Sequence, residues 1–483
     1  MARNRLIKNM ILTFVCILAG CLNNLTFANG NAPDDPPNII FIAIEDFNPE
    51  HLGCYGGKAL TPNIDKVASE GVLFKNAFVD VAVCNPSRTA LLTGLRPPAS
   101  GVYGNSDDWQ KLVLPKIGFT LPQHFMNNGY ETVKIGKIFH FQMEHPDSWN
   151  RELSRLNEEG NILSAWHEDV IPLLDKVEGD TDKGWFNQNL QWGPVDCGPE
   201  EFRDGSYIAG VKNYLAEKHE KPFFLGVGFH SPHVKFAVPK EFFDLYNIDD
   251  ILLPDNPPND LADVPVDLGK NSLHSIIDSS TWREIKRAQF ACISYVDWCI
   301  GKVMEAVEQN KLDRNTIIVI WTDHGFGLGE HFQWSKGGHR LFSEINQVAC
   351  IWKVPGITPK GKVSNSVVET IDIFPTLFDL CNIEIPSHVQ GESYSAVLKD
   401  PSVSIKNAAF TWGSKQRVSV QTDRFRLNLN RDLDPAYFEL YDHKYDPDEY
   451  INVSCNPQYQ ETIQTLISYY ADHVKQYELF EKN

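Results

Sequence analysis

No Cys-x-x-Cys pair occurs in the 483-residue chain, although it holds ten cysteines, at positions 16, 21, 54, 84, 197, 292, 299, 350, 381 and 455. That excludes a zinc knuckle and a thioredoxin-like redox pair. Cys292 and Cys299, seven apart in an expected helix, share a face but stand too far apart for a disulfide. Most of the scattered cysteines read as small buried hydrophobes. Positive charge is short as well. Forty-four Lys and Arg stand against 63 Asp and Glu, a formal net charge of −19. A protein that coats nucleic acid carries the opposite balance, so no nucleic-acid partner is expected. A local basic pocket for an anionic small ligand remains compatible with an acidic exterior. Internal repeats and low-complexity tracts are missing. Apolar residues make up 42% of the chain, so neither global disorder nor a coiled coil fits.

At the N-terminus, Arg3, Arg5 and Lys8 precede an apolar run from Met10 to Gly20. The run is too short to span a bilayer and has the form of a secretory leader. No later stretch is long and apolar enough to cross a membrane. The run closes on Leu18-Ala19-Gly20-Cys21, which resembles the bacterial lipobox. Two processing routes follow: lipidation of Cys21, or ordinary cleavage near Ala28. The first gives a lipid-anchored protein of the periplasm or cell surface, the second a secreted one. The expected organisation is a leader over 1–28, a large domain over 35–395 and a smaller one over 396–483.

Asn38 to Ile44 is a continuous apolar run rich in β-branched residues, which predicts a strand covered on both faces. Residues 132–135, 222–229, 316–322 and 348–352 repeat the pattern. Helices are expected over 62–70, 207–219, 282–309 and 369–380. Strands alternating with helices predict an α/β fold with a large, mostly parallel central sheet flanked by helices. Polar residues at the C-terminal ends of such strands are favoured site positions, and Glu45, Asp46, His230 and Asp323 all fall there. Residues 141–203 and 255–280 read as long loop insertions, walls for a substrate rather than core. Beyond 395, short strands over 408–412, 417–421 and 425–429 and a helix over 457–478 predict a smaller α+β subdomain.

The most specific segment is Cys84-Asn85-Pro86-Ser87-Arg88, followed by a short helix and Thr93-Gly94. Alone it is weak, since a buried Cys beside a turn Pro is common. Four further segments follow or precede it in a fixed order. They are Glu45-Asp46, Gly136-Lys137-Ile138-Phe139-His140, Gly228-Phe229-His230-Ser231-Pro232-His233, and Thr322-Asp323-His324-Gly325 continued by Trp334-Ser335-Lys336. Together they resemble the type I, formylglycine-dependent sulfatases, and within them the iduronate-2-sulfatase-like branch. The resemblance spans roughly residues 38–455. It includes Phe438 to Asp442, read as a structural segment joining the two domains. It implies an alkaline-phosphatase-like sulfatase fold with the smaller C-terminal subdomain appended.

In that family the Cys is oxidised to formylglycine (3-oxoalanine), whose hydrated aldehyde is the nucleophile. The resemblance therefore implies a sulfuric ester hydrolase with residue 84 converted by a formylglycine-generating or anaerobic sulfatase-maturating enzyme. An aldehyde hydrate has two hydroxyls. One can attack sulfur, and the other can then expel sulfate by C–O cleavage, a route closed to an unmodified Cys or Ser. Asp46, Asp323 and His324 map onto metal-ligand positions of the family, which usually holds one Ca²⁺. A carboxylate-rich set suits a hard cation. Glu45 maps onto a fourth ligand, but the family usually has Asp there, so its reach differs by one methylene. Lys137 and Lys336 map onto sulfate-binding lysines. His140 maps onto a partner of the nucleophile's hydroxyl, and His230 onto a general acid for the leaving oxygen. Arg88 would fix the nucleophile and pair with the ligand carboxylates. His233 is left between packing and substrate contact. The substrates so implied are sulfate esters of polysaccharides or oligosaccharides, with ulvan, carrageenan or glycosaminoglycan fragments as examples. Two alternatives share the motif: a phosphate or phosphonate monoester hydrolase, and a non-catalytic glycan-binding protein.

Overall fold

Ile39 to Ile44 of β1 (Asn38–Ile44) are all buried. Ile40, Ile42 and Ile44 enter one apolar layer, and Ile39, Phe41 and Ala43 enter the other. This two-residue alternation, apolar on both sides, puts the strand in the middle of a helix-covered sheet. The computed structural model describes residues 35–155, 175–176, 190–265, 277–337 and 341–480. The expected leader, with Cys16 and Cys21, and parts of both expected loop insertions lie outside the described residues.

The remaining strands of the large sheet are β2 (Val72–Phe74), β3 (Glu131–Gly136), β4 (Arg151–Glu152), β5 (Phe223–Gly228), β6 (Thr316–Thr322), β7 (Cys350–Lys353) and β8 (Lys362–Ser364). Their order across the sheet is β8-β2-β7-β6-β1-β5-β3-β4. All neighbours run parallel except at β7, which is antiparallel to β6 and β2. The mostly parallel sheet of the sequence reading is therefore present. β5 starts one residue late because Pro222 precedes it and has no N–H for the ladder. β7 starts at Cys350 rather than Val348, because the Val348 N–H is spent on the Ala77 carbonyl at 3.0 Å.

Helices α1 (Pro62–Ser69), α2 (Cys84–Thr93), α3 (Ser206–Leu215), α4 (Ser279–Gln309) and α5 (Ile373–Leu380) flank the sheet. Asp278 caps α4 by accepting from the Ser280 and Thr281 N–H groups at 2.8 and 2.9 Å, so the helix begins three residues before the expected Trp282. The helix expected from 369 is split. Glu369 stays extended as the last residue of a short strand with Val368, and a 3₁₀ turn over Thr370–Asp372 precedes α5. The insertion at 141–203 is less irregular than expected. Gln191–Val195 pairs in parallel with Phe236–Pro239, and Asp175–Lys176 pairs antiparallel with it. Within 255–280, the described residues hold a 3₁₀ turn at Asp260–Asp263 and the start of α4. The eight cysteines from Cys54 onward are free thiols; Cys84, Cys292, Cys299 and Cys350 are buried.

After 395 comes an antiparallel meander: β9 (Ala409–Trp412), β10 (Arg417–Gln421), β11 (Phe425–Asn430) and β12 (Glu439–Asp442). The fourth strand is the segment read in the sequence only as a joint. Helix α6 (Gln460–Phe480) closes one face, with Ile463, Leu466 and Tyr470 against Trp412, Val420 and Leu427. Pro36–Asn483 forms one compact unit. The meander is keyed into the large layer by Trp412 N–H to the Asp80 carbonyl at 2.7 Å and Thr411 Oγ1 to the Val79 carbonyl at 2.6 Å.

Behind those bonds lies a buried charge network. Arg96 donates to both oxygens of Glu369 at 2.5 and 2.6 Å and to Asp80 at 2.8 Å. Lys406 reaches Glu369 at 2.8 Å and Asp372 at 2.6 Å. Burial and the neighbouring Glu369 lift Asp80 to about 7 even though Arg96 opposes this, while Arg96 and Lys406 hold Glu369 below the usual carboxylate range against its burial. Removing one member leaves buried charge uncompensated, which costs about 3–5 kcal/mol. We expect Arg96→Ala to lower unfolding free energy by about that amount in urea denaturation. A loss under about 1 kcal/mol, the size of a surface pair, would show that the network does not hold the C-terminal sheet in place.

Candidate active site

The register of the large sheet brings the chemistry to one edge. Ile44 pairs with Thr322, Ala43 with Gly228, and Gly136 with Gly228. The residues that follow these strands are Glu45-Asp46, Asp323-His324, His230 and Lys137, so four separated segments converge at the C-terminal ends of β1, β6, β5 and β3. Parallel sheets place ligand sites at that edge. Asp46 has a positive φ of 50°, uncommon outside glycine. Its N–H donates to Asp323 Oδ1 at 3.2 Å, which holds the turn. Gly228 and Gly136 are required by close approach: a Cβ at Gly228 would lie 1.9 Å from the Lys137 carbonyl, and one at Gly136 would lie 2.0 Å from the Gly228 carbonyl.

Cys84 is the first residue of α2, two positions earlier than a start at Pro86 would give, with extended Val83 as its cap. The helix N-terminus supplies positive field to its side chain. Ser87 Oγ donates to the Asp323 carbonyl at 2.5 Å. Arg88, fully buried, donates through Nε to Asp323 Oδ2 at 3.0 Å and through Nη1 to the Lys137 and Ile138 carbonyls at 2.8 and 2.9 Å. Its Nη2 is 3.7 Å from Glu45. One side chain thus ties the cysteine helix to the ends of β6, β3 and β1.

The Cys84 Sγ atom lies 3.1 Å from Lys336 Nζ, 3.3 Å from His324 Nε2 and 3.9 Å from Asp46 Oδ1. Burial opposes ionisation of the thiol, but Lys336 and Lys137 outweigh it and bring the group down to about 6. Burial likewise opposes charge on Asp323, yet His324 and Arg88 hold it near 2. His324 is lifted to about 9 against its own burial by Asp323, Cys84 and Asp46. Glu45 stays well below its ordinary range despite burial, because Lys137 and His230 face it. His140 is lowered to about 4 by burial and Lys137, and His230 is lowered well below its ordinary value by burial and Arg203.

All ten sequence-derived site residues fall in this region. Lys336 Nζ sits 2.5 and 2.6 Å from the two Asp46 oxygens, and Lys137 is hydrogen-bonded to Glu45. His230 Nδ1 is 2.9 Å from Glu45 Oε2. Ligand atoms of Asp46, Cys84, Asp323 and His324 lie within 4.8 Å of one another, as do those of Glu45, Asp46, Cys84 and His233. The donor set fits a hard divalent cation, since buried carboxylates converge on ammonium groups that already act as stand-in charges. His324 would give up its proton on ligating the ion.

His233, left open in the sequence, has Nε2 3.8 Å from Asp46 and its ring 4.8 Å from that of His230. Asp204 was missed. Buried at the foot of α3, it accepts from the His230 and Ser231 N–H groups at 2.9 and 2.8 Å and sets the histidine loop. The sign was an acidic residue before Gly205-Ser206 at a helix start, in the short gap between the expected loop over 141–203 and the expected helix over 207–219.

A strand-end carboxylate cluster around a helix-borne cysteine, on a large mixed sheet with a C-terminal antiparallel sheet, defines a hydrolase of alkaline-phosphatase-like fold. A family model described as Sulfatase matches residues 37–383, and one described as N-sulphoglucosamine sulphohydrolase, C-terminal, matches 329–476. The chain is 31% identical over 453 residues to a sulfatase of Formosa agariphila, covering 89% of this chain and 86% of the relative. It is 32% identical over 427 residues to iduronate 2-sulfatase of Mus musculus, covering 78% and 74%. A solved structure of a protein with its substrate D-glucosamine-2-N,6-O-disulfate superposes with a TM-score of 0.71 at 23% identity, covering 92% of this chain and 98% of that one. The chain belongs to the sulfatase family and is a sulfuric ester hydrolase.

The thiol geometry can be tested before any maturation. In protein carrying unmodified Cys84, iodoacetamide labelling of that residue, followed by peptide mass, should rise with a midpoint near pH 6. Removing the nearest cation in Lys336→Met should move the midpoint upward. An unchanged midpoint would mean that Lys336 does not govern the charge on this sulfur.

Proposed function

We propose that this protein is an exported sulfatase that removes sulfate ester groups from uronate-containing, glycosaminoglycan-like oligosaccharides, with residue 84 as formylglycine and one Ca²⁺ in the carboxylate cluster. The observation that carries the reading is Cys84 at a helix N-terminus with Lys336, His324 and Asp46 within 3.9 Å of its sulfur. The kinship with iduronate 2-sulfatase supports the substrate class. The leader and Cys21 support export to the periplasm or cell surface with a lipid anchor. The Cys84-to-Arg88 motif supports maturation by a formylglycine-generating enzyme.

Glu45, Asp46, Asp323 and His324 would hold the ion, which supplies Lewis-acid polarisation of the nucleophile and of a sulfate oxygen. Formylglycine supplies a hydrated aldehyde, a nucleophile with a second hydroxyl for turnover. The chain does the rest. Arg88 fixes the nucleophile's helix against Asp323. Lys137 and Lys336 offer ammonium groups to sulfate oxygens, each a charge-assisted contact that strengthens as charge shifts onto them. His140 stands in range of Lys137 and Glu45 as a neutral imidazole, suited to take a proton from the nucleophile. His230 is held neutral by burial and Arg203; the negative charge of a sulfate ester bound beside it would favour uptake of a proton from solvent, and the imidazolium so formed would give that proton to the leaving oxygen.

The reading is tested by sulfate release across defined sulfated oligosaccharides and matched phosphate esters, with the mass of the residue-84 peptide measured on the same sample. We expect the formylglycine mass and a preference for sulfated uronates. Full activity with unmodified Cys84, or a general preference for phosphate, would overturn it. Lys137→Ala and Lys336→Ala should each lose about 3 kcal/mol, on the order of a hundredfold in kcat/KM. His230→Ala should lose far more on sugar sulfates than on nitrophenyl sulfate, whose leaving group departs without a proton. Equal losses on both would remove the general-acid role.

A further inference from the structure

A second cluster of ligating side chains shares no residue with the site around Cys84. One ring nitrogen of His331 and one carboxylate oxygen each of Glu344 and Glu449 lie within 4.8 Å of one another, all three residues buried. They come from different parts of the fold. His331 lies in a 3₁₀ turn after β6, Glu344 in the short helix Ser343–Asn346, and Glu449 beyond β12 of the C-terminal sheet. They line a cavity of about 750 Å³ that also exposes Glu50 and Glu330, so a cation has a route in and an attractive field along it.

Two of the three residues are already set for ligation. His331 Nδ1 is 3.0 Å from Asp260 Oδ2, and the ring stacks on Phe342 at 3.7 Å and 11°. A carboxylate behind one ring nitrogen fixes the tautomer and orientation of a metal-binding histidine. Glu449 is locked by Arg426 Nε at 2.6 Å, His443 Nε2 at 2.7 Å and the Ser343 N–H at 2.9 Å. Glu344 is the unexplained member. It is 6% exposed, and its Oε1 has no hydrogen-bond partner. A buried carboxylate oxygen without a partner is costly. A simple ion pair with His331 would have closed into a hydrogen bond, and Oε1 makes none.

We propose that His331, Glu344 and Glu449 bind a second divalent cation, of the zinc or manganese class, taken in from the adjoining cavity. One imidazole with two carboxylates is a mixed nitrogen and oxygen set that suits those ions better than Ca²⁺. Three ligands at about 2.0–2.2 Å from a shared centre stand about 3.3–3.8 Å apart, so atoms that lie within 4.8 Å of one another complete the site by closing at most about 1.5 Å. The cation would clasp the C-terminal sheet to the layer that carries the catalytic residues, and it would cap the orphan oxygen of Glu344.

The test uses full-length, chelator-treated protein with the catalytic cluster disabled by Asp46→Asn, titrated calorimetrically with Zn²⁺ alone and with Mn²⁺ as competitor. One equivalent of zinc should bind and raise Tm. Adding Glu344→Gln should weaken binding at least tenfold and abolish the rise in Tm. No zinc equivalent in the Asp46→Asn protein would overturn the proposal, whatever the behaviour of the second variant. So would unchanged zinc affinity in the Glu344→Gln variant with a higher zinc-free Tm, the result expected of a carboxylate that is merely buried.

Discussion

A guanidinium with no exposure stands where the cysteine helix meets three strand ends. Arg88 is an ion pair with Asp323, a donor to two carbonyls after β3, and a neighbour of Glu45. A buried charge is tolerated only when its partners are in place. Arg88 can therefore be buried only if β1, β3 and β6 end at one level and α2 lies across them. The register of the sheet provides that level, and Arg88 in turn holds the first turn of α2, with Cys84 at its head, over the carboxylates. Ser87 adds its bond to the Asp323 carbonyl from the next position. Two consecutive side chains thus set the height of Cys84 against the carboxylate edge.

This arrangement explains how a chain of net charge −19 can receive an anion. The carboxylates are not left to face the pocket alone. Glu45 is held by Lys137 and His230, Asp46 by Lys336, and Asp323 by Arg88 and His324. Each acid is paired with a base from a different segment, so the local field is near balance before any ion or substrate is considered. The same pairing accounts for the directions of the acid–base shifts: Asp323 and Glu45 low, His324 high, and Cys84 low despite burial.

The sequence made the chemistry legible because the strand ends are marked twice. Continuous apolar runs announce β1, β5 and β6, and the polar residues that break them are the ones that carry the site. Cys84 and Arg88 were legible from their motif. What stayed hidden was whatever depends on pairing between distant segments. The strand Gln191–Val195 has a Gly and a Pro inside it and is a strand only because Phe236–Pro239 lies alongside. Asp204 positions His230 through backbone donors 26 and 27 residues away, which no local pattern records. β12 was read from the resemblance only as a joint, and Glu439 and Asp442 give it no apolar run. Both are buried, and both are neutralised by arginines, Arg417 and Arg424, that only the folded meander delivers.

Glu45 shows how a departure from a family pattern is absorbed. An aspartate at this position would keep its carboxylate close to the end of β1. The added methylene carries the group outward, and its two oxygens divide their work. Oε1 faces Lys137 and Arg88, while Oε2 faces His230 at 2.9 Å. The carboxylate has therefore moved toward the β3 and β5 side of the edge, where its partners are the very residues that the sequence assigns to sulfate and leaving group. Asp46, one residue on, keeps the short side chain and the left-handed backbone and faces Lys336, His324 and the sulfur. The pair is thus asymmetric in reach: the shorter acid faces Cys84 and Lys336, and the longer one faces Lys137 and His230.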